Sequence, residues 1–191
     1  MIQFQNVSAG YAGRTVVREV SFTVPRGSVA SLIGPNGQGK TTLLRTAGGL
    51  LKPQAGRVLL NGKPAGDYRR RELASLSGGE RQRAYIAMAL AQDSQVLLLD
   101  EPTTYLDVGQ RYEVLELVRR LNAQGRTVLM VLHDLSLAFG YSDYVALVDR
   151  GELRAFGRAR AVFESGAAEA AFGVKAACLP VEGKERYLFF H

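Results

Sequence analysis

Cysteine is nearly absent: Cys178 is the only one in 191 residues, so no disulfide can form within the chain. No apolar run approaches the roughly 20 residues that cross a bilayer as a helix, so any membrane role has to come through a partner. The opening "MIQFQNVSAG" lacks a positively charged stretch followed by an apolar one, and the expectation is a chain that stays in the cytosol. Repeats and low-complexity segments are also lacking. The net charge of +6 is carried mostly by arginine, with no block long enough to serve as a nucleic-acid-binding tail. That balance suits an anionic ligand, an acidic membrane surface, or simply a solvated arginine-rich exterior.

What is present is apolar content, 47% of residues, enough for the core of one domain with a small appendage. "IQFQNVSAGY" and "TVVREVSFTV" alternate apolar and polar residues, with Val20, Phe22 and Val24 on one face and Gly10 and Gly13 bracketing a turn. They read as antiparallel strands. From "SVASLIG" onward, short continuous apolar runs alternate with helical stretches, the pattern of a parallel sheet buried on both faces. The fold class is therefore α/β, a mostly parallel central sheet with an N-terminal antiparallel β subdomain. "GERQRAYIAMALAQ" reads as a helix, and so does "DVGQRYEVLELVRRLNAQG", with Asp107 capping its start, Tyr112, Leu115 and Val118 forming a stripe, and Gly125 ending it. Beyond Arg150, "GELRAFG" suggests a turn and strand, "RARAVFESG" a short helix and "KAACLPVEGKERYLFF" a terminal strand pair. The expected division is a main domain over 1–165 and a C-terminal extension over 166–191.

Three apolar runs, at 28–34, 95–101 and 127–134, each end in a residue type that does chemistry. Ligands of open α/β sheets sit outside the carboxyl ends of the strands, so a glycine loop, an acidic pair and a histidine should converge. The loop is "GPNGQGKT", which fits G-x-x-x-x-G-K-[ST] between a predicted strand and helix. Gly34, Pro35, Asn36, Gly37, Gln38, Gly39, Lys40, Thr41 and Thr42 form the candidate phosphate cradle. Backbone N–H groups would wrap the phosphates, Lys40 would reach the β/γ-phosphates and Thr41 would ligate magnesium. "VLLLDEP" places Asp100 and Glu101 at a strand end. Alternation would turn the first toward the metal and the second toward the attacking water, with Pro102 holding Glu101 extended. In "LSGGERQ", Ser77 and Glu80 make a capping box, and the same helix start can bind phosphate through Ser77 and the Gly78 and Gly79 amides.

In order and context, the P-loop, "LSGGERQ", "LLLDEP", "TTYLD" and the lone His133 closely resemble the ATP-binding cassette ATPases. The resemblance implies a P-loop NTPase that binds ATP and Mg2+. Tyr11 matches the aromatic residue that stacks on adenine, against the alternative of a core tyrosine. Asp100 would hold the metal through water, Glu101 would be the general base, and His133 would sense the γ-phosphate. Leu76, Ser77, Gly78, Gly79, Glu80 and Gln82 match the signature that acts on ATP held by a second copy, and Asp107 matches the acid linking the two sites. The implied working unit is a head-to-tail pair docked on integral membrane subunits, peripheral on the cytoplasmic face. The wording "MALAQDSQVLLLDEPTTYLD" is similar to the subfamily for iron-chelate (siderophore), haem and cobalamin uptake.

The pattern breaks between about 66 and 76. Family members carry there a buried strand, a glutamine that contacts magnesium and water, and a helical subdomain that grips the membrane partner. Here "GRVLLNGKPAGDYRRRELA" runs straight into "SLSGGE", and the only glutamine in the interval between P-loop and signature is Gln54, before a strand. Two residues separate Ala74 from Ser77, so the two points lie within about 10 Å. Without a covering subdomain, some of Tyr85, Ile86, Met88 and Leu90 should be exposed, favouring self-association and loss of docking. A truncated module that binds ATP but is impaired in hydrolysis and coupling is thus the alternative reading. A DNA-repair or translation cassette fits less well, since the chain lacks both a long coiled coil and a second cassette. No nucleic-acid partner is expected.

Overall fold

The computed structural model describes residues 1–65, 74–75 and 94–191. Its first sheet grows from a hairpin of β1 (Ile2–Tyr11) and β2 (Arg14–Val24). The turn is Ala12–Gly13, both at positive φ (47° and 78°), the two-residue geometry that matches the twist of the flanking strands. Gly10 lies inside β1 and Gly13 within the turn itself, so the two glycines do not flank the turn as expected. β3 (Val29–Ile33) leads into α1 (Lys40–Ala47), after which β4 (Ala55–Leu60) and β5 (Lys63–Pro64) complete an antiparallel sheet of order β2-β1-β4-β5.

The second sheet has six strands among the described residues. They are β3, β6 (Ala74–Ser75), β7 (Val96–Asp100), β8 (Thr127–Val131), β9 (Tyr144–Asp149) and β10 (Glu152–Arg158), in the order β10-β9-β3-β8-β7-β6. All neighbours are parallel except β9 and β10, which form a hairpin. The three apolar runs thus become adjacent strands whose carboxyl ends lie side by side. The interval read as lacking a strand does hold a two-residue one: Ala74 pairs with Leu99, and Ser75 with Asp100. Two residues suffice for that ladder, too few to stand out as an apolar run.

Alternate residues of these strands serve two cores. Ile33, Leu97, Leu99, Val128 and Met130 pack with α2 (Val108–Ala123), while Leu32, Leu98, Leu129 and Val131 pack with α1 and the first sheet. Asp107 caps α2 by accepting from the Gln110 N–H at 2.8 Å, and Gly125 follows its end at φ 87°. The buried stripe of α2 is Val114, Leu115, Val118 and Leu121. Tyr112, expected in it, is 43% exposed and lies beside the ring of Tyr141 instead, because the true stripe starts half a turn later.

After α3 (Leu135–Tyr141) and β9–β10 come α4 (Ala159–Glu164), α5 (Ala167–Phe172) and the hairpin of β11 (Lys175–Val181) and β12 (Lys184–Phe190). Tyr187 and Phe189 bring their rings to 5.6 and 5.4 Å from that of Phe139 on α3, so the terminal strand pair joins the first core. The signature residues Leu76, Ser77, Gly78, Gly79, Glu80 and Gln82, the helix read over "GERQRAYIAMALAQ", and Tyr85, Ile86, Met88 and Leu90 lie outside the described residues.

Candidate functional site

The loop after β3 is shaped by glycines with little freedom to be anything else. Gly34 is at φ 149°, and a Cβ there would stand 1.9 Å from the carbonyl oxygen of Val148 on β9. Gly39, at φ 100°, caps the start of α1, and a Cβ would lie 2.2 Å from Val17 Cγ1. Between them the chain runs into the N-terminus of α1, whose first N–H groups have no partner within the helix. Lys40, only 5% exposed, donates from Nζ to the carbonyl oxygens of Gly34 (2.7 Å) and Pro35 (2.9 Å). Burial pushes its ammonium below the usual lysine range, against the opposing pull of the Glu101 and Asp100 carboxylates.

Asp100 ends β7 and its Oδ1 accepts from the Thr41 hydroxyl at 3.2 Å. Burial raises its pKa, partly offset by that hydrogen bond. The pair offers two oxygen donors from adjacent elements, one anionic, which is the donor chemistry that magnesium takes from protein alongside phosphate and water.

Glu101 departs from expectation. It is not extended but at φ 52°, in the left-handed region that a non-glycine residue occupies at a cost of order 1–3 kcal/mol. The chain turns there, with the Thr104 N–H donating to the Glu101 carbonyl at 3.1 Å. Pro102 favours extended backbone at its predecessor, and the left-handed turn at Glu101 runs against that preference. The consequence is a fixed carboxylate: Oε1 lies 2.5 Å from His133 Nε2 and Oε2 accepts from the Thr104 hydroxyl at 3.1 Å. His133 follows β8, just before Asp134 caps α3 by accepting from the Leu137 N–H. The two acids therefore do diverge, one to the loop and one to the histidine.

A cleft of about 470 Å3 takes in Tyr11, the loop from Asn36 to Thr42, Glu101 and His133. Gly34 and Pro35 meet it through the carbonyls that hold Lys40, and Asp100 through Thr41. Tyr11 is 42% exposed with Arg45 donating to its hydroxyl at 3.4 Å, so it is not a core tyrosine. Asp107 does not line the cleft. Sequence reasoning missed Thr104, whose only signal is its place three residues after Glu101. It also missed the side chain of Gln38, whose Oε1 accepts from the Arg150 N–H at 2.7 Å and ties the loop to the turn between β9 and β10.

The family model described as ABC transporter matches residues 17–74 and 65–104. The iron(3+)-hydroxamate import ATP-binding protein FhuC of Bacillus subtilis (strain 168) is 35% identical over 210 aligned residues, covering 77% of this chain and 78% of the relative. Among solved structures, a putative metal-chelate type ABC transporter in an inward-facing conformation superposes with TM-score 0.80 at 22% identity, covering 100% of this chain and 97% of that one. The ATP-binding cassette MJ0796, dimeric in a post-hydrolysis state with ADP and Pi bound, superposes with TM-score 0.72 at 22% identity over 84% of this chain and 99% of its own.

Proposed function

Because the chain belongs to the ABC transporter ATPase family, we propose that it binds and hydrolyses ATP as the cytoplasmic-face, peripheral subunit of an importer for iron chelates, haem or cobalamin. The observation that supports hydrolysis most directly is the Glu101 carboxylate, locked by His133 and Thr104 in the same cleft as Lys40 and Thr41. In this reading the N–H groups from Asn36 to Thr42 and the Lys40 ammonium hold the phosphates, and Tyr11 stacks on the base. Thr41 and Asp100 would hold Mg2+, which supplies charge neutralisation on the phosphates. Glu101 takes a proton from the attacking water at a carboxylate oxygen, which retains lone pairs beyond its two existing contacts. His133 keeps that oxygen aimed. Two copies would face each other head to tail, Asp107 lying at their junction, and bind the membrane subunits together.

Nucleotide titration and steady-state turnover test this. Lys40→Ala should weaken Mg-ATP binding by more than about 1 kcal/mol, since a buried charge contact to phosphate is removed. Glu101→Gln should keep ATP bound while abolishing turnover, because an amide cannot accept the proton. Wild-type rates in Glu101→Gln would refute the assignment. The second reading, a module that binds ATP without effective hydrolysis, is favoured by the absence of a glutamine between Gln54 and the signature. It requires wild-type ATP binding with no turnover, even when membrane subunits are supplied.

A further inference from the structure

Next to the nucleotide cleft lies a second cavity of about 780 Å3, and the two share Tyr11, Val16, Gly37 and Gln38 as a common wall. Its remaining lining is dominated by three arginines: Arg14 and Arg18 from β2, and Arg150 from the turn between β9 and β10. Among the described residues no aspartate or glutamate lines it. Arg14 and Arg18 make no ion pair among the described residues, and the pairing of Arg150 is a 3.9 Å approach to Asp149.

The backbone that carries Arg18 and Arg150 is held in place. The Arg18 N–H donates to the Gly151 carbonyl at 2.8 Å, and the Arg150 N–H donates to Gln38 Oε1 at 2.7 Å. Gly151, at φ 77°, packs so closely that a Cβ would meet the Val16 carbonyl oxygen at 2.2 Å. The backbone of the turn is thus fixed against both β2 and the phosphate loop. Three arginines lining one cavity, of which only Arg150 comes close to a carboxylate (Asp149) among the described residues, suit an anionic ligand, and the fork of a guanidinium matches phosphate oxygens two at a time.

We propose that this cavity is a second phosphate-binding site, at the nucleoside end of the cleft, which takes a phosphate or pyrophosphate group distinct from the chain held by Lys40. It rests on the nucleotide reading only for the direction in which ATP lies. The group can come from a free anion or from a phosphate on the ribose of the bound nucleotide, since Tyr11 borders both cavities.

The test is calorimetric titration of the whole chain with inorganic pyrophosphate, magnesium and a non-hydrolysable ATP analogue being present throughout. Wild type, Lys40→Ala and Arg14→Ala/Arg150→Ala are compared, with Arg14→Lys/Arg150→Lys to keep the charge. Pyrophosphate binding should survive Lys40→Ala and weaken at least about tenfold in the alanine pair, with the lysine pair in between. A second arm compares ADP with ADP phosphorylated at the ribose 3′ position. A preference for the latter that disappears in the arginine variant assigns the site to the nucleotide's own phosphate. Equal affinities, with pyrophosphate still bound, assign it to a free anion. Absence of arginine-dependent binding in both arms, or pyrophosphate binding abolished by Lys40→Ala alone, overturns the proposal. Failure of the ATP analogue to bind, with arginine-dependent pyrophosphate binding intact, overturns the nucleotide reading and leaves this one standing.

Discussion

At the scale of single residues, the site depends on contacts that one atom can break. Gly34→Ala forces a methyl group into the Val148 carbonyl at a φ that an L side chain rarely adopts. It should destabilise the chain by about 1–3 kcal/mol, as overpacking does, read as a lower urea midpoint at unchanged slope. Thr104→Val keeps the shape of the turn but removes the donor to Glu101 Oε2. It should lower kcat severalfold while the dissociation constant for Mg-ATP is unchanged, the signature of a residue that positions the carboxylate rather than the phosphates. That Lys40, Thr41, Glu101 and His133 meet at one cleft was legible in sequence, because the loop after β3 and the ends of β7 and β8 lie side by side at the carboxyl edge of one parallel sheet. The left-handed backbone of Glu101 was not. Nothing in "DEP" distinguishes an extended residue before proline from one that turns, and the choice is made by His133 and Thr104, which come from elsewhere in the fold or beyond the motif.

At the scale of elements, continuous apolar runs gave the parallel strands their places, because a strand buried on both faces leaves no polar gap to misread. β6 escaped notice for the opposite reason: two paired residues carry no periodicity, and their ladder with Leu99 and Asp100 is a tertiary fact. The α2 stripe was half read, since Tyr112 shares the spacing of Leu115 but sits at the rim. The terminal hairpin of β11 and β12 was legible as a strand pair, and its docking on α3 makes a pH prediction. Burial raises the pKa of Tyr187 and of Tyr141, the latter helped by Glu116, whose Oε1 accepts from the phenol at 3.3 Å. A folded pKa above the unfolded one means that this part of stability is complete below about pH 10 and falls as pH rises through the folded values. In urea unfolding this tyrosine contribution should appear as a decline in stability above about pH 10, set against the rise that the lowered pKa of Lys40 gives in the alkaline range. Tyr187→Phe should shallow that decline; an unchanged slope would show that the hairpin tyrosine does not contribute.

At the scale of the whole molecule, one six-stranded sheet supplies alternate side chains to both cores. Neither core can be lost without exposing strands that the other needs. Calorimetry should accordingly show one transition for the chain, with calorimetric and van't Hoff enthalpies equal, and two separated transitions would contradict the shared-sheet packing. Magnesium with ATP at 100 times its dissociation constant should add about 2.7 kcal/mol to stability by mass action. The tie between Gln38 and the Arg150 amide has a use of its own. A backbone amide on a solvent-facing turn normally trades its proton for deuterium quickly, but this one is secured by a side chain of the phosphate loop, so its exchange counts how often the loop lets go. Deuterium uptake at Arg150 is thus a built-in clock for loop opening: slowed by whatever clamps the loop, and running free in Gln38→Ala.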